Sequence, residues 1–167
     1  MSGHSHWKQI QHKKGANDQK RGQVFSKLSK AITLAARNGT DPKTNISLAN
    51  AIEQARNMNM PNDNIDRAIK RVSEKDAAQL EKIIVEAIGP GRVALRIQGV
   101  TDNKNRTISE IKKMLLGHNA KMVQPGSISW MFDAPIQVDE QTQKKIDELF
   151  EALDNIDDVN DVITNLE

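Results

Sequence analysis

The spacing of apolar residues changes about half-way along the chain, and this change limits the fold more than any other feature. Before residue 75 apolar residues recur every three or four positions, which is the period of an amphipathic helix. After residue 80 they begin to alternate, as in Val93, Leu95 and Ile97, which is the period of a strand with one buried face. The sequence therefore predicts an α+β protein in which a helical part precedes a part that contains a sheet.

The first part, residues 1–75, is predicted to be an extended basic arm followed by a small three-helix domain. The first helix runs from about Asn17 to Arg37 and stops at Gly39. A second helix precedes the Pro61 break, and a third is capped by Asn62. The residues predicted to form the shared core are Val24, Phe25, Leu28, Ala31, Ile32, Ala35, Leu48, Ile52, Ala55, Ile65, Ala68, Ile69 and Val72. Residues 73–79 are the predicted linker.

The second part, residues 80–167, is predicted to be a two-layer α/β domain of order ββαβαβ, with helices on one side of a mostly antiparallel sheet. Gly89-Pro90-Gly91 indicates the turn of the first hairpin. A capping-box pattern at Thr107 and Glu110 predicts the start of the next helix. The remaining expectations are a third strand with Ile128, Trp130 and Phe132 on one face, a helix capped by Asp139, and a last strand over Val159–Ile163.

The two parts differ sharply in charge. Residues 1–75 hold 14 Lys/Arg and 6 Asp/Glu, whereas residues 76–167 hold 10 and 16. Residues 1–37 are the most biased stretch, with eight basic residues and a single acid, Asp18. This bias favours a polyanionic partner, and the alternative is a basic face that only contacts solvent.

The residues of this basic stretch predicted to contact phosphates are Lys8, His12, Lys13, Lys14, Lys20, Arg21, Lys27 and Lys30. At 100° per residue, Lys27 and Lys30 are expected on the face of the first helix opposite its apolar residues. Gly15 would let a nucleic-acid backbone approach closely. Trp7 has two interpretations: it anchors the arm to the helical core, or it stacks on a base.

A second candidate anion site lies between the predicted hairpin and the helix that follows it. Lys104 and Arg106 precede the expected helix start, where free N–H groups and the helix dipole favour a phosphate. The alternative is purely structural, with a turn at Asp102 and Asn103 and a cap at Thr107. The two interpretations are compatible.

Several function classes are disfavoured. The chain has no cysteine, and the histidines nearest one another, His4, His6 and His12, lack a further ligand, so no metal site is expected. No Walker, Gly-x-Gly-x-x-Gly or Gly-x-Ser-x-Gly motif is present. We therefore expect a non-enzymatic protein with no cofactor and no small-molecule substrate. The absence of a long apolar run or a signal-type segment predicts a cytoplasmic protein without membrane contact.

Blocks of residues along nearly the whole chain resemble the YebC family. They include Gly3-His4-Ser5, His12–Ala16, Asn59-Met60-Pro61, Thr101-Asp102-Asn103 with Asn105-Arg106-Thr107, and Ser129–Phe132, in the family's order. Family members are described as probable transcriptional regulators, and relatives are implicated in translation at difficult stretches such as consecutive prolines. The resemblance also implies an inserted third domain after Phe132, for which residues 133–138 leave no room, so a short two-domain member is expected.

Together these observations predict a nucleic-acid-binding regulator of gene expression. The first hypothesis is a translation factor whose partner is the ribosome and its RNA. A DNA-binding transcriptional regulator is the alternative, since phosphate contacts do not distinguish the two polymers. A third hypothesis, a protein-interaction module that uses the acidic tail, predicts that deleting the arm leaves activity intact.

Overall fold

A computed structural model describes His4–Ser5 and residues 18–167, with side chains described from residue 21 onward. This part of the chain divides into two compact units. Among the described residues, the helical unit holds those from Asp18 to Glu81 together with Val100–Asn103, and the α/β unit holds His4–Ser5, Lys82–Gly99 and Lys104–Glu167. The structure is therefore a mixed α+β protein, as the change in period predicts. The predicted domain limits, 1–75 and 80–167, stay a prediction.

The helical unit contains α1 (Asp18–Ala35), α2 (Ile46–Asn57) and α3 (Asn62–Lys70). Its core is an apolar cluster that draws residues from all three helices: Leu28, Ile32, Ala36, Leu48, Ile52, Ala55, Met60, Ile65 and Ala68. Short 3₁₀ turns follow α1 at Ala36–Asn38 and α3 at Arg71–Ser73. The region predicted as a linker holds another 3₁₀ turn, Lys75–Gln79, whose Ala77 carbonyl accepts a hydrogen bond from Arg37.

The start of α2 is fixed by a buried side chain. Asn45 accepts a hydrogen bond from the Leu48 amide at 3.1 Å, and its own amide donates to the carbonyls of Ala35 (2.7 Å) and Gly39 (2.8 Å). One residue thus caps α2 and satisfies carbonyls at the end of α1. The predicted cap of α3 is wrong by one position, because Pro61 has the extended N-cap conformation and Asn62 is already helical.

Replacing Asn45 with alanine should lower the free energy of unfolding by about 2 kcal/mol, since it removes a cap and leaves buried carbonyls unsatisfied. Urea unfolding of the full chain measures this loss. The matched control is Asn50→Ala, at an exposed position of α2, for which a change of at most about 0.5 kcal/mol is expected. Equal losses in the two variants would show that Asn45 has no special role.

The α/β unit has the predicted order ββαβαβ. Its elements are β2 (Glu81–Ile88), β3 (Ala94–Thr101), α4 (Lys104–Gly117), β4 (Lys121–Val123), α5 (Glu140–Asp154) and β5 (Val159–Thr164). Gly89-Pro90-Gly91 forms the turn between β2 and β3, as predicted. Gly91 has φ +69°, and a Cβ there would lie 2.7 Å from Thr142 Cγ2, so glycine is needed both for the conformation and for the space.

The sheet has the order β1-β5-β3-β2-β4, in which β1 is the short segment His4–Ser5. β1 pairs antiparallel with β5, β5 with β3, and β4 with β2. The main core lies where one face of the sheet meets α4 and α5, with Leu95, Ile97, Ile111 and Leu149 fully buried. The strand β1 was not predicted, because two residues are too few to show an alternating pattern.

The third strand is not where the apolar pattern placed it. The strand is Lys121–Val123, and Ser129–Asp133 forms a 3₁₀ turn instead. Ile128 and Phe132 are buried as expected, but Trp130 is 69% exposed. In a strand, Trp130 would share the buried face of Ile128 and Phe132, so its exposure distinguishes the observed 3₁₀ turn from the predicted strand.

Polar side chains attach the segment around this turn to the sheet. The buried carboxylate of Glu86 accepts a hydrogen bond from the Gly126 amide and pairs with Arg96 at 3.3 Å. The Arg96 guanidinium lies 4.2 Å from the centre of the Phe132 ring. Asn165 is 1% exposed. Its side-chain oxygen accepts a hydrogen bond from the Ala94 amide at 2.9 Å, and its side-chain amide donates to the Ala134 carbonyl at 3.2 Å. These contacts hold the segment in place without strand pairing.

The predicted cap of α5 is confirmed. Asp139 has an extended backbone and its carboxylate accepts the Thr142 amide at 2.6 Å. Hydrogen bonding from Thr142 lowers the pKa of Asp139, because it stabilises the charged form. The position at a helix N-terminus also suits a negative charge.

Candidate nucleic-acid interface

Several of the residues predicted to contact phosphates lie outside the described part of the chain. These are Lys8, His12, Lys13 and Lys14. Trp7 also lies outside the described residues, so both interpretations of its role stay predictions. Lys20 belongs to α1, but its side chain is not described. Arg21 lies in the first turn of α1 and is exposed to solvent, as expected of a phosphate-contacting residue.

The predicted position of Lys27 is wrong. Its side chain is 2% exposed and lies in the same buried arc of α1 as Leu28, Ile32 and Thr33. The prediction assumed a helix that is covered on one side, whereas α1 packs against both α2 and α3, and Thr33 donates to the Ala68 carbonyl of α3 at 2.7 Å. A helix with two neighbours buries a wider arc, and this arc includes positions that a single apolar stripe would leave in solvent.

Lys30 is the other lysine that was expected on the outer face of α1. It is half-buried, so its side chain is accessible only in part. Lys30 stays a proposed contact, because a long lysine stem can lie along apolar surface while its ammonium group reaches water. Lys27 lacks that access and is removed from the set of predicted contacts.

The helix after the hairpin begins earlier than the capping-box pattern indicates. α4 starts at Lys104, so Thr107 is inside its first turn and does not cap it. The Thr107 hydroxyl is fully buried and donates to Asp158 Oδ2 at 2.7 Å. Ahead of the helix, the Asn103 amide donates to Thr101 Oγ1 at 2.9 Å. The block that resembles the family thus fixes a junction between β3, α4 and the turn before β5.

Arg106 is bound to carboxylates at this junction. Its Nη2 lies 2.9 Å from Asp158 Oδ2 and its Nε lies 3.8 Å from Glu110 Oε1. The guanidinium is about half exposed, while the Asp158 carboxylate is almost completely buried. A phosphate at this position would have to compete with a carboxylate that is held in place, whereas Lys104 is exposed at the first position of α4.

No group of three or more His, Asp or Glu side chains that could hold a metal ion is found among residues with described side chains, and the sequence has no cysteine. His4, His6 and His12 fall outside that description. Within the same part of the chain, no helix is long and apolar enough to cross a membrane.

Three functional or structural anchors were missed by sequence reasoning. Asp158 was interpreted as part of a solvated turn, yet it is 5% exposed and binds residues about fifty positions earlier in the chain. Glu86 and Asn165 are buried anchors that had no assigned role. Only Glu86 gave a local signal in the sequence, since it is a charged residue inside an apolar strand. A charge buried in a strand requires a partner, so its position indicated an ion pair or hydrogen bond.

Models of known protein families match most of the chain. Residues 5–75 match the TACO1/YebC protein N-terminal domain, and residues 80–135 match the TACO1/YebC second and third domain. A protein of Desulfosudis oleivorans is 43% identical over 178 aligned positions, which cover 100% of this chain and 72% of that protein. The chain belongs to the TACO1/YebC family.

Relatives in this family carry regulatory names and not the name of an enzyme activity. Proteins of Desulfosudis oleivorans, Trichlorobacter lovleyi (44% identical) and Halothermothrix orenii (50% identical) are each named a probable transcriptional regulatory protein. The last two matches cover 91% and 79% of this chain. The chain spans 62% and 53% of the length of those two relatives, so it represents little more than half of each.

The TACO1/YebC fold is also found in a solved structure. The crystal structure of a conserved hypothetical protein from Aquifex aeolicus superposes with a TM-score of 0.82 at 30% sequence identity. The match covers 98% of this chain and 97% of that chain. The mixed α+β architecture is therefore shared with a protein whose structure is known.

Proposed function

We propose that this protein is a nucleic-acid-binding regulator of gene expression that acts on translation by contacting ribosomal RNA. The observation that carries the proposal is the charge of residues 1–37, where eight basic residues accompany one acid. Such a concentration of cations releases counterions when it binds a polyphosphate, which makes binding strong and salt-dependent. The regulatory names of the family's members support a role of this class.

The proposed contacts are the accessible or undescribed cations of the arm and α1, with Lys104 as a further contact in the α/β unit. They are Lys8, His12, Lys13, Lys14, Lys20, Arg21 and Lys30. Arg106 contributes less, because Asp158 and Glu110 already pair with its charge. No bond is made or broken in this mechanism. Cationic side chains position the protein on the strand, and the sequence of that strand is not read by these contacts.

Sedimentation of cell lysate through sucrose tests the ribosomal part of the proposal. The variant in which Lys13, Lys14, Lys20 and Arg21 are replaced with alanine should leave the ribosomal fractions, since it loses half of the eight basic residues of 1–37. A matched control removes four exposed cations elsewhere in the helical unit, namely Lys43, Arg56, Lys70 and Lys75. Wild-type sedimentation of the first variant would refute the proposal.

The second candidate function is a DNA-binding transcriptional regulator, and the printed names of the relatives favour it. Competition of ribosomal RNA against promoter duplex DNA at one fixed salt concentration separates the two candidates. Preference for RNA supports the first, and preference for the duplex supports the second. Salt must be held constant because it changes the affinity for both polymers.

A further inference from the structure

The helix α4 differs in charge from the rest of the unit in which it lies. In the α/β unit, residues 82–99 and 104–167 hold 10 Lys/Arg and 13 Asp/Glu. Within it, α4 has four cations and one acid, whereas α5 has two cations and five acids. Lys112 and Lys113 are both exposed on α4. With four cations and one acid, α4 therefore has a net charge of +3 within a stretch whose net charge is negative.

The acid of α4 does not neutralise these lysines. Glu110 lies three positions before Lys113, but its carboxylate is 3.8 Å from Arg106, which also pairs with Asp158. No carboxylate among the residues with described side chains forms an ion pair with Lys112 or Lys113. Their charges are available to an external anion.

Helix stability does not explain the two lysines either. Cations stabilise a helix in its last turn, and the last turn of α4 contains none. The positions four residues before and after Lys112 and Lys113 hold no acid, since they are Ile108, Ser109, Leu116 and Gly117. A structural role for the pair is thus not visible in the contacts of α4.

The rest of this face is suited to a nucleic-acid backbone. Asn105, Ser109 and Lys112 are exposed and lie on one stripe of α4, at i, i+4 and i+7. The stripe covers about 10 Å along the helix axis. Amide, hydroxyl and ammonium donors are the groups that proteins use to contact phosphate oxygens. The adjacent Lys113 widens the cationic surface toward Arg106.

We propose that the exposed face of α4 is a second nucleic-acid contact, in which Lys112 and Lys113 bind backbone phosphates of single-stranded RNA. This inference rests on the proposed function and adds a site in the α/β unit to it. The contact is electrostatic and independent of base sequence, and it is supported by the neutral donors Asn105 and Ser109.

Fluorescence anisotropy of a labelled single-stranded RNA, titrated with the full chain between about 0.05 and 0.2 M salt, tests the site. Replacing Lys112 and Lys113 with alanine should weaken binding by about tenfold at the low-salt end and reduce the salt slope by about 1.4, because each single-strand phosphate contact contributes about 0.7. The matched control is the lysine pair of α5, Lys144 and Lys145, which is also exposed. Its replacement should change the affinity by less than about twofold.

Equal losses in the two double variants would overturn the inference, because they would reflect net charge alone. Wild-type affinity of the α4 variant would overturn it as well. If that variant loses binding to poly-glutamate and keeps binding to RNA, the surface serves an acidic protein instead. The two failures can be distinguished. If the proposed function is wrong, the wild-type chain binds no RNA. If only this inference is wrong, the chain still binds RNA, and binding depends on Lys13, Lys14, Lys20 and Arg21.

Discussion

Replacing Gly99 with alanine is expected to lower the free energy of unfolding by about 3 kcal/mol, the upper end of what overpacking costs. A Cβ at this position would lie 2.1 Å from the Asp158 carbonyl oxygen and 3.3 Å from Ile83 Cγ1. The first of these atoms belongs to the backbone, so the turn before β5 has to move. The site is also where the pairing of β3 with β5 shifts register, between Gln98 and Gly99.

Urea unfolding of the full chain measures this effect, and a second glycine provides the control. Gly22 is in α1, and a Cβ there would meet no atom within 4 Å in the described part of the chain apart from its own helix backbone. Gly22→Ala should therefore stabilise the protein by up to about 1 kcal/mol, as expected of glycine replaced in a helix. A Gly99→Ala variant that unfolds at the wild-type urea concentration would show that β5 tolerates the displacement.

Replacing Asp158 with alanine should also cost about 3 kcal/mol in the free energy of unfolding. The Asp158 carboxylate accepts hydrogen bonds from Thr107 Oγ1 at 2.7 Å and from Arg106 Nη2 at 2.9 Å. Its loss leaves a fully buried hydroxyl without this acceptor and Arg106 without its shorter ion pair. The buried hydroxyl accounts for most of the cost, since an ion pair with a half-exposed guanidinium is weakened by solvent.

Two further variants separate these contributions. Arg106→Ala removes only the half-exposed partner and should cost about 1 kcal/mol or less. Asp133→Ala removes the same charge as Asp158→Ala from an exposed position and should change the stability by at most about 0.5 kcal/mol. A loss for Arg106→Ala as large as that for Asp158→Ala would contradict the account, because the ion pair would then dominate.

The elements with a long, regular pattern were predictable from the sequence. The periods of α1, α2 and α5 each extend over eight or more residues, and a clean alternation at Val93, Leu95 and Ile97 indicated β3. The structure has these elements close to the expected places. Short segments were not predictable in this way. The stretch around Trp130 is a 3₁₀ turn of five residues, and β1 is only two residues long.

The errors at the candidate site have a common physical origin, which is packing between elements distant in sequence. Lys27 is buried because α1 has two helical neighbours, which the pattern of α1 alone does not reveal. Thr107 fitted a capping box, but its hydroxyl bonds to Asp158, 51 residues away. A local sequence pattern indicates the secondary structure that a segment prefers. The roles of Lys27 and Thr107 depend instead on tertiary contacts with residues distant in sequence.

The structure also changes which cations carry the proposed interaction with nucleic acid. Arg21 and Lys104 are exposed, Lys30 is half-buried, and Lys27 is removed from the set. Lys112 and Lys113 add an exposed cationic surface that charge counting over whole segments did not reveal, because acids outnumber basic residues over residues 76–167.

The most direct test of the central claim is the salt dependence of binding between the purified full chain and single-stranded RNA. If about six cationic side chains neutralise phosphates, the logarithm of the binding constant should fall with the logarithm of salt concentration at a slope of about −4. Alanine at Lys13, Lys14, Lys20 and Arg21 should bring that slope to about −1.5. Absence of measurable binding at low salt, or a slope near zero in the wild-type chain, would contradict recognition of a polyphosphate strand by these residues.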